Sequence, residues 1–405
     1  NGVAGRYVRL VLGVGEIDAG YVDAYYGPAE WRDAVRKERA DRETLLERAR
    51  AARADMVAIP VPADSMRALR HHYLSRQLDA LIAYLEILGG QTLSFDQEAK
   101  ALYDAAPPHL DTAHFDAILA DIDALLPGGG PLADRVEAFR QQFVIPRERL
   151  AGVFEAAMNE CRTRTLMHIP LPVQENFRIE YVNDKPWSGY NWYQGDAHSL
   201  IQVNTDLPVF LDRAVELGCH EGYPGHHTYN ALLEAELVDA RGWMEFTVYP
   251  LFSPQSLIAE GSANYGVELA FPGDERLAFE RDVLAPLAGI DTANLAAYAE
   301  LRAKLKELDY AGNEAARAYL DGSMTRDEAV AFLVKYSLSS PERAAQRVDF
   351  FDTYRSYVIN YNLGRDLVRN YVERNANTQD ERWTVFAELL GSPRLPSGLI
   401  VKDET

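Results

Sequence analysis

"CHEGYPGHHTYN", residues 219–230, decides how the rest of the chain is read. It gathers three of the nine histidines and sets Glu221 directly after the first. Histidines at i and i+4 share one helix face, but the residue four after His220 is Pro224. His226 stands six residues on, about 240° around an ideal helix at 100° per residue. His227 returns to the first face, but roughly 10.5 Å further along the axis. A regular helix therefore cannot bring His220 together with either one.

The residues in between are those that undo a regular helix. Pro224 has no N–H for the carbonyl of His220, and Gly222 and Gly225 open the backbone to unusual angles. If Tyr223-Pro224 forms a two-residue bulge, His226 takes the place of the i+4 residue. The stretch then becomes an extended H-E-x-x-H: two imidazoles for one Zn²⁺, with Glu221 placed as general base. His227 lies behind the metal or faces substrate in that reading, and as a neighbour of His226 it is the alternative second ligand. The opposing reading keeps His220 in the core and leaves His226-His227 at a loop edge.

The flanks favour a metal. Upstream, Asp206 is expected to cap a helix with Pro208 in its early turn, and Phe210, Ala214 and Leu217 form an apolar stripe toward the motif. Downstream, "LIAEGSANYGVEL" (257–269) sets Glu260 and Glu268 into an otherwise apolar, small-residue helix. A carboxylate there is costly to bury unless paired or metal-bound. Glu260 is the expected third ligand, on a helix packed antiparallel to the first, which completes a two-His-plus-Glu site.

Composition narrows the partners. The chain has 405 residues, and 41 Lys and Arg against 61 Asp and Glu leave a net charge of −20. Nucleic acid and anionic membrane both need a basic footprint, so neither is expected. No apolar run approaches the roughly 20 residues of a membrane span, and no secretory leader is seen. The first residue is Asn1, which leaves room for a trimmed export signal, but a cytoplasmic setting is expected. Cys161 and Cys219 are too few for a disulfide scaffold; they are expected as free thiols, with a single disulfide between them as the alternative.

Most of the chain reads as helix. Residues 65–88 carry apolar side chains at helical spacing. Residues 111–130 begin on Asp111 as cap and stop at Pro127 and three glycines. Residues 145–164 begin near Pro146. Thr325-x-x-Glu328 is a capping box. Residues 344–375 read as one long helix or a pair hinged near Gly364. Between Pro170 and Pro208, "FRIEYV" (177–182) and "SLIQVNTD" (199–206) alternate like strands. The expected fold is thus mainly α with a small antiparallel β-sheet near residues 177–206. The glycines at 128–130 suggest an N-terminal helical lobe, 1–130, and a second region, 131–405, joined as one unit with a cleft.

"HEGYPGHH" with the downstream Glu260-Gly261, Ala263 and Tyr265 resembles the bacterial DUF family 885, which is grouped with zincin-like, gluzincin-type metallopeptidases. "GYVDAYYGPAEWR" (20–32), "NWYQGDAHSLIQVNTDLP" (191–208) and "YVINYNLGRDLVRNYVE" (357–373) are similar to the same family. The resemblance implies a large helical, oligopeptidase- or carboxypeptidase-like fold with a cleft. Where related branches read H-E-x-G-H, it implies that Tyr223-Pro224 is an insertion, with His220, His226 and Glu260 as ligands and Glu221 as base.

Other parts can be assigned roles. Strand 199–206 is a candidate edge for substrate backbone, and His198 at its start is a candidate substrate or metal-adjacent residue. Tyr361 and Arg365 lie one helical turn apart, suited to an oxyanion and a substrate carboxylate. Tyr265 and Tyr229 are weaker alternatives. Adjacent His71 and His72 face about 100° apart and read as structural. The expected function is a zinc-dependent hydrolase of amide bonds in short peptides or aminoacyl conjugates. Its rivals are a catalytically silent binding protein on the same fold and a metal-dependent non-peptide hydrolase or lyase.

Overall fold

A computed structural model describes residues 2–185 and 187–400. The fold is mainly α, with 67% helix and 8% strand. No helix among the described residues is long and apolar enough to cross a membrane. Helix 65–88 runs from Ser65 to Leu88, with Asp64 accepting from the Arg67 amide as cap. Asp111 caps helix Thr112–Leu125 through the His114 amide, and Thr325 with Glu328 closes a capping box. Each cap satisfies amides that the first helical turn leaves free.

Among the described residues five strands interrupt the helices: β1 (Val22–Tyr25), β2 (Asn176–Val182), β3 (Gly189–Gly195), β4 (His198–Asn204) and β5 (Val248–Pro250). The small sheet stands where the alternation places it, in the order β2-β4-β3. The turn-rich stretch between the two expected strands holds a third, β3, which pairs antiparallel with β4. Because β3 intervenes, β2 and β4 run parallel, Asn176 opposite His198. β4 is therefore the central strand and has no free edge for substrate backbone; β2 and β3 are the edges.

One core runs from Tyr7 to Leu399 and includes residues on both sides of the 128–130 glycines. β1, near the start of the chain, pairs with β5, which leads into helix Pro254–Ala270. That helix carries Glu260 and is here the glutamate helix. It packs against Ile359–Arg374, the tyrosine helix, with Gly261 facing Gly364. A Cβ on Gly364 would stand 2.6 Å from the Leu257 carbonyl oxygen, so the two backbones meet without side chains between them. Gly364 is therefore a packing residue and not the expected hinge. The break falls at Arg355, where φ is 50°, between helix Pro341–Tyr354 and the short turn Arg355–Val358.

Two further expectations change. Asp206 does not cap a helix: it accepts from Asn183 and from the Asp184 amide, while helix Leu211–Leu217 begins after Phe210. Cys161 and Cys219 are not free thiols but a disulfide, with Cα atoms 5.5 Å apart, inside the range such a bond spans. The pairing follows from helix Leu150–Leu166 lying against the turn before His220.

Gly261→Ala is expected to destabilise the protein by about 3 kcal/mol, the upper range for overpacking, because the new methyl meets the Gly364 backbone rather than a movable side chain. Urea denaturation reads this as a lower midpoint at unchanged slope. An unchanged midpoint would show that the two helices can part at no cost.

Candidate metal centre

Helix Leu211–Leu217 passes into a π turn, Gly218–Gly222, and then ends at Tyr223, whose φ of −129° and ψ of 120° are extended. A new helix, His226–Leu233, starts after Gly225. The two-residue insertion does not project into solvent. Tyr223 is fully buried against the His227 ring at 4.8 Å, and Pro224 is buried against Gly266 of the glutamate helix. The chain then folds back so closely that the Gly225 amide donates to the Cys219 carbonyl at 2.9 Å. A Cβ at 225 would collide with the His220 carbonyl, which requires glycine there.

The result brings His226 beside His220. Their Nε2 atoms lie 3.1 Å apart, and Glu260 Oε2 lies 3.2 Å from the first and 3.7 Å from the second. One donor atom from each of the three residues falls within 4.8 Å of the others. Glu260 Oε1 accepts from the Tyr357 hydroxyl at 2.8 Å, whereas Oε2 is buried with no hydrogen-bond partner among the described residues.

The tautomer of His220 follows from its neighbours. Asn264 Nδ2 donates to the Tyr361 carbonyl at 3.0 Å, and a carbonyl can only accept. Asn264 Oδ1 therefore faces His220 Nδ1, 3.2 Å away, and Nδ1 must carry the proton. In a neutral ring this leaves the Nε2 lone pair pointing at Glu260 and His226. Such an oriented outer partner is the usual support of a metal-ligating histidine.

Electrostatics agree. Burial opposes a charge on His226, but the nearby carboxylates of Glu260, Glu221 and Asp23 push it up to about 9. Burial opposes the Glu260 charge as well, yet the two histidines hold its carboxyl well below the usual range. Glu221 is only 5% exposed, and burial raises its carboxyl against the pull of both histidines. Its Oε1 lies 4.0 Å from His220 Nε2 and faces Gly189 at the start of the β3 edge. Asn191, also on β3, donates to the Glu221 carbonyl at 2.6 Å.

The remaining candidates separate. Tyr361 borders the site: burial and then the charge of Glu260 raise its hydroxyl. Arg365 does not serve as a free clamp, since it is buried and paired with Asp309 at 3.2 Å and Asp366 at 3.1 Å. Arg347, which the sequence reading passed over, stacks 4.8 Å over Phe350, and Phe350 packs 6.4 Å from Tyr361. It has no ion-pair partner among the described residues. Glu268, two turns beyond Glu260 on the same helix, is paired with Lys306 at 2.6 Å. Tyr265 packs on Phe386 at 5.9 Å, and Tyr229 is buried in helix His226–Leu233. His198 holds its own turn through the Asp196 carbonyl.

His227 is not at the metal cluster. It is fully buried, with Nδ1 2.8 Å from Ser199 Oγ and Nε2 3.3 Å from Glu175 Oε2. Glu175 also accepts from the Tyr223 hydroxyl at 2.5 Å and from Arg162 Nε at 2.9 Å. Despite burial, these three partners hold the Glu175 carboxyl down at about 2. The network clamps the inserted segment from behind. Asn264 is legible from sequence, one helical turn after Glu260 on the same face; Tyr357, in the turn before the tyrosine helix, and Glu175, Arg162 and Asp23 carry no such signal.

No protein-family model and no curated protein matches the chain. Among solved structures it is similar to a "putative lipoprotein" from Colwellia psychrerythraea, at 14% identity over 90% of this chain and 76% of that one, with a TM-score of 0.51. A "putative lipoprotein of unknown function" from Shewanella oneidensis gives 12% identity over 90% and 79%, TM-score 0.44. The protein called BsuCP gives 10% over 96% and 86%, TM-score 0.43. The first likeness is one of fold alone.

Glu175→Ala is expected to cost about 3 kcal/mol, because removing one member of a buried ionic network strands the others. Tyr223→Phe, which deletes a single hydrogen bond to it, should cost about 1 kcal/mol. Denaturation at neutral pH measures both; equal losses would show that the clamp is worth no more than that one bond.

Proposed function

We propose that this protein is a zinc-dependent hydrolase of amide bonds in short peptides or aminoacyl conjugates. The observation that carries this reading is the orphaned Glu260 Oε2, buried and facing two imidazole Nε2 atoms, one with its lone pair fixed by Asn264. Two histidines and a glutamate, with positions left open, are the donor set of a catalytic zinc site. His220, His226 and Glu260 would hold the ion. When bound, zinc supplies Lewis-acid polarisation of a carbonyl and lowers the pKa of water.

The chain's own groups supply the rest. Glu221, with its carboxyl raised by burial, accepts the proton of the attacking water and returns it to the leaving amine. The Tyr361 hydroxyl donates to the developing oxyanion. The β3 edge beside Glu221 offers backbone groups to an extended substrate. The Cys161–Cys219 bond favours an oxidising compartment over the cytoplasm expected from sequence.

Zinc measured by mass spectrometry on the purified protein should be one ion per chain. His220→Ala, His226→Ala and Glu260→Ala should each lose it. His227→Ala should keep it, since that ring serves the clamp; loss of zinc there with retention in His226→Ala would reverse the ligand assignment.

Glu221→Gln should retain zinc and lose about 10² to 10⁴ in turnover, chiefly in kcat. The substrate for that comparison comes from a screen of peptides and acyl amides. Loss of the metal in Glu221→Gln would make Glu221 a ligand, and undiminished turnover would remove it from the chemistry.

A further inference from the structure

Asp23 reaches the same site from a strand near the start of the chain. Pairing of β1 with β5 matches Val22 to Pro250 and Ala24 to Tyr249, and the register shifts between them. Asp23 is the residue at that bulge, a device that re-aims a side chain and is frequent beside active sites. Its carboxylate accepts from the Tyr190 hydroxyl. Tyr190 lies on the β3 edge between Gly189, which faces Glu221, and Asn191, which holds the Glu221 carbonyl.

Two features make this carboxylate unusual. It is half-buried, and no Lys, Arg or His among the described residues pairs with it, whereas the buried acids Glu98, Glu175, Glu245 and Glu280 are paired with Arg355, Arg162, Arg70 and Arg302. Its surroundings are aromatic. The ring of Tyr190, which holds it, packs against Trp187 at 5.4 Å and Trp192 at 4.6 Å, and the neighbouring Ala24 pairs with Tyr249. Burial, with Glu260 and Glu221 nearby, pushes the Asp23 carboxyl up to about 6.

A carboxylate with no cationic partner, held by a tyrosine of an aromatic cluster, suits an organic ammonium: the charge pairs with it, and neighbouring rings can attract the cation. Glu260 and Glu221 already have tasks at the metal and the attacking water. Asp23 has none in that chemistry. Resting on the hydrolase reading above, we propose that Asp23, held by Tyr190, anchors the protonated amino group of the substrate, so that the enzyme acts on peptides or conjugates with a free amine and rejects those in which it is blocked.

The test uses ligands that bind zinc directly, so it needs no known substrate. L-alanine hydroxamate and N-acetyl-L-alanine hydroxamate are titrated by calorimetry into the zinc-loaded protein and into zinc-loaded Asp23→Asn. Wild type should bind the free-amine form about 30-fold tighter or more, the usual cost of unpairing a desolvated charge. In Asp23→Asn that preference should collapse toward parity, with zinc content and melting temperature retained. If wild type takes up no zinc, the hydrolase reading falls and takes this inference with it. If zinc is bound and the two hydroxamates bind alike, or if neither binds, only the Asp23 inference falls. It also falls if Asp23→Asn weakens both ligands equally, or if wild type holds two ions per chain and the variant one, which would make Asp23 a ligand.

Discussion

The structure turns on one buried negative charge. Glu260 sits on a helix of small and apolar residues, 7% exposed, where an unpaired carboxylate would be costly. Its two oxygens are treated differently: one accepts from Tyr357, and the other faces the imidazoles of His220 and His226. Around that charge the neighbouring elements are fixed. The tyrosine helix must come close enough for the Tyr361 carbonyl to orient Asn264, and the Gly261–Gly364 contact allows it. The motif segment must present both histidines from one side.

That second demand explains the irregular backbone. A regular helix would set the two imidazoles on different faces. The π turn at Gly218–Gly222, the extended Tyr223 and the return at Gly225 convert six residues of sequence into adjacent nitrogens. Irregular helix of this kind is common at functional sites. Its instability is countered on the inside rather than outside. Tyr223 fills the core and bonds to Glu175, which His227 and Arg162 also hold. The histidine that looked like a rival ligand is part of the support that makes His226 the ligand candidate.

Much of this was legible from sequence. Helix lengths, caps and the strand pair could be read because periodicity and capping chemistry are local. The cluster of His220, His226 and Glu260 could be reached because Pro224 and the two glycines announce a broken helix and because Glu260 interrupts an apolar face. What failed was non-local. Arg365 has the right chemistry, but Asp309, distant in sequence, claims it. Gly364 resembles a hinge in sequence, yet its role is set by Gly261 across the helix interface. The disulfide and the Glu175 clamp depend on how helix Leu150–Leu166 lies against the motif, which no local pattern encodes. β3 was hidden in a turn-rich stretch, and with it the order of the sheet.

The order of the sheet matters for chemistry. With β4 in the centre, the one strand edge beside Glu221 belongs to β3, and β3 also carries Asn191 and Tyr190. Those two side chains reach in different directions, one to the backbone of the proposed base and the other to Asp23 on β1. β1 in turn pairs with β5, which feeds the glutamate helix. The proposed base, its supporting strand, the ammonium anchor and the third ligand are thus linked through short, directly bonded steps. A shift of β3 would disturb Glu221 and Asp23, the proposed base and the proposed anchor, together. Of these positions Asp23 is the least constrained by backbone pairing, because its bulge leaves it outside the β1–β5 register, whereas Tyr190 and Asn191 lie in the paired register of β3 with β4.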